Sequence, residues 1–110
     1  MRLWEVRSYE LEEGTSPLGA FLERLQPKHA AKVWHVIERL RIFGPELPFP
    51  HASDVTGTPF RELRTTFAGQ QYRVLYRREG DVFVLYIGFH KTSDRDLDRA
   101  VNEATKYLET

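Results

Sequence analysis

The sequence predicts an α+β fold, an antiparallel sheet with helices packed mainly on one face. Two stretches in the first half repeat apolar residues at helical spacing. Three stretches in the second half are short and rich in aromatic and β-branched residues, with glycine-containing turns between them. A last stretch returns to helical spacing. The expected order is β-α-α-β-β-β-α, and a meander of neighbouring strands with helices before and after it implies segregated layers.

Leu3 to Tyr9 reads as the first strand, and Glu10-Leu11-Glu12-Glu13-Gly14 as a loop. Thr15-Ser16-Pro17 starts a helix, with Ser16 as cap and Pro17 at the first helical position. Leu18, Phe21, Leu22 and Leu25 then follow one helical stripe. A second helix begins near Pro27, with Ala30, Val33, Trp34, Ile37 and Leu40 on its apolar face, and Gly44-Pro45 ends it. Trp34 is read as core, and Trp4 as packed against the helices.

Residues 44–59 hold four of the six prolines and two glycines, an irregular connection that can wrap across a sheet edge. Phe60–Phe67 and Gln71–Arg78 are strands joined by Ala68-Gly69-Gln70. After the turn Glu79-Gly80-Asp81, Val82–Phe89 is almost continuously apolar, as a central strand covered on both faces would be. Ser93 or Asp94 caps the last helix, with Leu97, Ala100, Val101, Ala104 and Leu108 inward.

The chain of 110 residues is read as a single domain, 1–110, large enough for one core. It has no cysteine, which excludes a disulfide scaffold, a thiol nucleophile and a zinc–thiolate site, and fits a reducing cytoplasm. Met1-Arg2-Leu3-Trp4-Glu5 lacks the apolar core of a signal peptide, and no apolar run reaches membrane-spanning length. His29, His35 and His51 lack ligand-like spacing, so no metal site is expected.

Sixteen basic residues balance sixteen acidic ones, yet residues 60–78 hold five arginines against the single acid Glu62. A local cationic patch on a neutral chain suits a small anion-binding pocket better than a long polyelectrolyte stripe. Arg is costly inside a sheet unless its face meets an anion or water. By alternation Arg73, Leu75 and Arg77 share one face, and Glu62, Arg64 and Thr66 share one. If Arg64 lies opposite Arg73, both cations converge; a slip of one residue separates them. The alternative for Arg73 is that it only bridges to an acid across the sheet, and for Arg77 and Arg78 that they are solvated hairpin residues.

These segments resemble a known family. Phe60-Arg61-Glu62-Leu63-Arg64, Tyr72-Arg73-Val74-Leu75-Tyr76 and Gly88-Phe89-His90-Lys91-Thr92, in this order and spacing, are similar to RelE/ParE-superfamily toxins of type II toxin–antitoxin modules, in the HigB-like, phage-derived branch. The resemblance runs from Leu18 to Leu108. It implies a RelE-like fold and a metal-independent endoribonuclease acting on mRNA, often on the ribosome, with no cofactor. It also implies a cytoplasmic location and a cognate antitoxin, typically of helix-turn-helix type, through which alone promoter DNA is reached. Arg64 and Arg73 fall on the family's "Leu-Arg" and "Tyr-Arg" positions, and Lys91 on the basic position after the last strand. The chain departs from the branch in having Arg61 and Glu62 where relatives carry lysines, and one lysine, Lys91, where the branch shows two.

For such chemistry Arg73 and then Arg64 are the expected phosphorane stabilisers, since their planar donors match phosphate oxygens. Lys91 could bind the scissile phosphate or protonate the leaving group. His90 is the expected general acid or base, with a plain surface histidine as the alternative. Arg61 and Arg77 are expected RNA contacts. Two other readings stay open: a ParE-like inhibitor of a protein such as DNA gyrase, and a non-catalytic, antitoxin-binding corepressor.

Overall fold

The computed structural model describes residues 2–12 and 14–109; Met1, Glu13 of the expected loop, and Thr110 lie outside the described residues. Strand β1 (Glu5–Ser8) is followed by α1 (Pro17–Glu23) and α2 (Pro27–Phe43). Then come β2 (Ala52–Asp54), β3 (Arg61–Phe67), β4 (Gln70–Glu79), β5 (Val82–His90) and α3 (Asp94–Leu108). The fold is α+β, as the sequence predicts, with an additional short strand inside the proline-rich connection.

The sheet order is β1-β5-β4-β3-β2. β2, β3, β4 and β5 form the antiparallel meander, whereas β1 runs parallel to β5, so the sheet is mixed. The two hairpins are tight. Phe67 pairs with Gln70 across Ala68 and Gly69, both at positive φ, the geometry of a two-residue turn that follows the strand twist.

Helices α1 and α2 cover one face, burying Leu18, Phe21, Val33 and Leu40 against Leu63, Val74, Tyr76 and Leu85. Helix α3 covers the other face, where Ala100 and Ala104 seat against Leu75, Phe60 and Tyr86. Two of the three helices thus share a face, and the third closes part of the face that the sequence reading leaves open. β5 lies between β1 and β4 and is covered on both sides, which accounts for its apolar run.

Caps and stops follow the sequence signals. Ser16 Oγ accepts from the Gly19 amide at 2.8 Å. Gly44 ends α2 at φ 56°, and a Cβ there would overlap the Trp4 indole. Trp4 packs on this helix end, its amide donating to the Arg41 carbonyl at 2.8 Å. Trp34 departs from expectation: it is 54% exposed. The buried stripe of α2 is Val33, Val36, Ile37 and Leu40, and Trp34 lies about 100° round the helix from Val33.

One irregularity sets the faces of β5. Tyr76 pairs with Leu85, but Leu75 pairs with Ile87, so Tyr86 is the extra residue of a β-bulge. Tyr86 and Ile87 both pack on the α3 side. Gly88 therefore turns toward α1, where the Phe21 ring lies against it and leaves no room for a Cβ.

Gly88→Ala should cost roughly 1–3 kcal/mol in urea unfolding by overpacking against Phe21. In a Phe21→Ala background the same change should cost clearly less, and simple additivity would contradict the contact. At the start of α3 the Asp96 carboxylate accepts from the Thr92 amide and hydroxyl at 2.7 Å and from the Ser93 amide at 3.0 Å. These bonds, the Thr92 amide first, hold its pKa below the ordinary value. A folded-state pKa below the unfolded one stabilises above the unfolded value, about 3.9, and that stabilisation is lost as pH falls through the folded one. Asp96→Asn should therefore lower the thermal midpoint at pH 7, and the gap to wild type should close in acid.

Candidate active site

The β3–β4 register pairs Arg64 directly with Arg73. The same rung extends outward to His51, whose carbonyl accepts from the Arg64 amide at 2.8 Å, and inward to Phe89. Two rungs along, Glu62 pairs with Leu75. All these residues lie on the α3 face by alternation. Two cations side by side across strands repel each other, so the sheet needs an anion here.

Glu62 supplies it. Its Oε1 lies 3.4 Å from Arg73 Nε and 3.7 Å from Arg64 Nε. Arg73 is only 3% exposed and Glu62 8%. Arg73 Nη2 donates to Gln71 Oε1 at 2.8 Å, and Nη1 to the Tyr72 carbonyl at 3.3 Å. Burial, and secondarily the Arg64 charge, push the Arg73 pKa down, while Glu62 opposes them. Among the described residues, Arg73 Nε and Glu62 Oε2 are buried with no hydrogen-bond partner, so the group is incompletely satisfied there. Buried, partly satisfied polar groups are costly and concentrate at functional sites.

Arg64 and Arg73 open on a cleft of about 440 Å³, lined also by Pro50, His51, Thr65, Thr66 and Gln71. A larger cleft of about 610 Å³ lies on the other side of Glu62, between Asp54, Thr58, Leu97, Asp98 and Asn102. Its three carboxylates disfavour an anion. Glu62 therefore lies between an acidic hollow and a cationic one.

The remaining sequence-predicted residues divide. Lys91 adjoins the cationic cleft through its backbone, its amide donating to the Gln71 carbonyl at 2.8 Å; its Nζ lies 3.7 Å from Asp94. His90 is separated from the arginines. It pairs with Tyr72 and its ring lies 5.3 Å from the Tyr72 ring, on the α1/α2 face. There Tyr72 Oη is 2.6 Å from His29 Nδ1. Arg61 also points to that face, bonded to Tyr76 Oη at 3.1 Å and paired with Asp54. Arg77 shares the Arg73 face but lies four residues along the strand, roughly 14 Å away, and pairs with Glu79 at 3.8 Å.

His51 takes the place in the cleft that the sequence reading gives to His90. Nothing in its local sequence shows this, because its position depends on the short strand β2 and on pairing with β3. Among the described residues, no group of three or more His, Cys, Asp or Glu converges as a metal site would require. No described helix is long and apolar enough to cross a membrane.

A family model described as phage derived protein Gp49-like matches residues 20–109. Among solved structures, a chain of the crystal structure of the toxin–antitoxin complex RelBE2 from Mycobacterium tuberculosis has a similar fold. The TM-score is 0.59 at 20% identity, over 84% of this chain and 97% of that one. No curated protein matches the sequence.

The charge balance gives a paired expectation. Glu62→Gln should lower unfolding free energy by about 3 kcal/mol, because it leaves the buried Arg73 uncompensated. Arg64→Ala should leave stability unchanged or raise it, because it removes a neighbouring like charge. Urea titration of both variants checks the pair, and a destabilised Arg64→Ala would show that repulsion is not what the carboxylate offsets.

Proposed function

The chain belongs to the phage-derived Gp49-like family, and from that premise we propose that it is the toxin of a toxin–antitoxin module and cleaves mRNA. The observation that carries the reading is the Arg64–Arg73 pair, held by one buried carboxylate and open to a cleft of nucleotide size. The named RelBE2 complex, which shares the fold, supports an antitoxin as partner.

In the proposed reaction the ribose 2′-oxygen attacks the adjacent phosphorus and the P–O5′ bond breaks. The products are a 2′,3′-cyclic phosphate and a 5′-hydroxyl. Negative charge grows on the non-bridging oxygens in the transition state. Fixed guanidiniums aimed at those oxygens stabilise it without reorganising. Arg64 and Arg73 take that role, and Lys91 holds the phosphate from the Gln71 side. One group must accept the 2′-proton and another must protonate the 5′-oxygen. His51, which lines the cleft beside the arginines, is assigned one of these steps in this scheme; the His90 ring lies against Tyr72 across the sheet. Cleavage needs no metal or cofactor in this scheme. The neutral net charge points to a substrate presented on the ribosome rather than tight binding of free RNA. The antitoxin, of helix-turn-helix type, would carry the complex to promoter DNA in the cytoplasm.

The test is purified protein in a translation extract, with mapping of mRNA ends. Fragments ending in 2′,3′-cyclic phosphate are expected. Arg64→Ala should slow their formation about 10²–10³-fold, and Arg64→Lys should restore little, because an ammonium lacks the forked donor geometry. His51→Ala should cost about 10²–10⁴-fold, whereas His90→Ala should change the rate little. Intact mRNA together with loss of gyrase supercoiling would favour inhibition of a protein target instead.

A further inference from the structure

The rim of the cationic cleft carries an unexplained aromatic ring. Phe49 is 69% exposed, more than any other large hydrophobic side chain among the described residues, and belongs to neither core cluster. It precedes Pro50 and His51, which line the cleft. The Arg64 guanidinium lies over the ring, 5.1 Å from its centroid. Proline on each side, Pro48 and Pro50, limits the backbone freedom of the residue that bears the ring.

An exposed Phe costs solvation free energy that folding does not recover. Its surroundings are cationic and polar, Arg64, Arg73, His51 and Gln71, which suits a charged ligand with a flat apolar part better than an apolar helix. A nucleotide has that combination, an anionic phosphate joined to a base with a π-face. Arg64 covers one side of the ring, and the exposure of Phe49 leaves area free for a base.

We propose that Phe49 is a nucleobase-stacking subsite: a base of the RNA stacks on its ring while the adjoining phosphate meets Arg64 and Arg73. This rests on the ribonuclease reading and adds to it the side chain that seats the base. Stacking on an aromatic side chain tolerates all four bases, so the subsite fixes where the strand lies in the cleft more than which sequence is cut. It acts on binding, since the ring does not touch the reacting atoms.

The experiment compares wild type, Phe49→Ala, Phe49→Leu and Phe49→Trp in the translation extract, varying mRNA concentration, with circular dichroism to confirm folding. Phe49→Ala and Phe49→Leu should raise KM by roughly tenfold or more with kcat nearly unchanged, and Phe49→Trp should stay close to wild type. In parallel, a short 2′-O-methyl RNA bearing 5-iodouridine is irradiated with each protein and the crosslinked peptide sequenced; the adduct should map to Phe49. Wild-type cleavage with an unchanged Phe49→Ala overturns the subsite and leaves the ribonuclease reading standing. A Phe49→Trp as impaired as Phe49→Ala also overturns it, since packing rather than a π-face would then matter. If wild type leaves mRNA intact, the ribonuclease reading falls, and the crosslink alone decides: an adduct at Phe49 supports the subsite and its absence overturns it.

Discussion

One carboxylate between two guanidiniums sets the terms for this molecule. Glu62 is buried on β3 beside Arg64, and across the ladder from them Arg73 is more buried still. Without the carboxylate the pairing of Arg64 with Arg73 would put two like charges together on a largely desolvated rung. With it, the rung holds a net positive charge facing a cleft. The neutralisation is partial, and one net positive charge is left at the cleft. Atoms on both Arg73 and Glu62 that have no partner among the described residues are consistent with a group arranged for a ligand rather than for stability alone.

The rest of the architecture keeps that rung fixed and accessible. Helices α1 and α2 fill the opposite face with the larger core, so β3 and β4 are held from behind. Helix α3 covers the arginine face only in part, through two alanines that let it lie close to the sheet. His51, just before β2, then sits at the edge of the same face. The cleft is thus bounded by a rigid sheet below and by the β2 edge at one side. That construction suits chemistry which relies on preset electrostatics more than on motion.

Much of this was legible in the sequence because local signals and packing agree. Ser16-Pro17, Gly44-Pro45 and the Ala68-Gly69 turn fix where elements begin and end, and alternation along β3 and β4 puts Glu62, Arg64 and Arg73 in play together. What alternation could not supply was the relative register, which only the pairing of Arg64 with Arg73 reveals. Trp34 was misjudged because the helical stripe is narrower than the apolar composition of α2 suggests. His51 was missed because a three-residue edge strand leaves almost no periodic trace in sequence. Glu62, a departure from the family pattern, is the counterion of both arginines. His90 lies away from the arginines because the bulge at Tyr86 shifts the faces of every later residue in β5, and no local sequence signal marks that bulge.

That bulge has a consequence for how the strand can change in length. It absorbs one residue, so every side chain after it owes its face to the extra position. If β5 were drawn straight with the same residues, Gly88 and His90 would turn to the arginine side, and Phe89 would be driven toward α1. Losing one residue at the bulge itself would leave those faces as they are; losing one farther along would turn the strand's end over. In terms of alternation alone, a one-residue deletion is therefore silent at one place in β5, where Tyr86 sits, and redraws the site's neighbours farther along the strand.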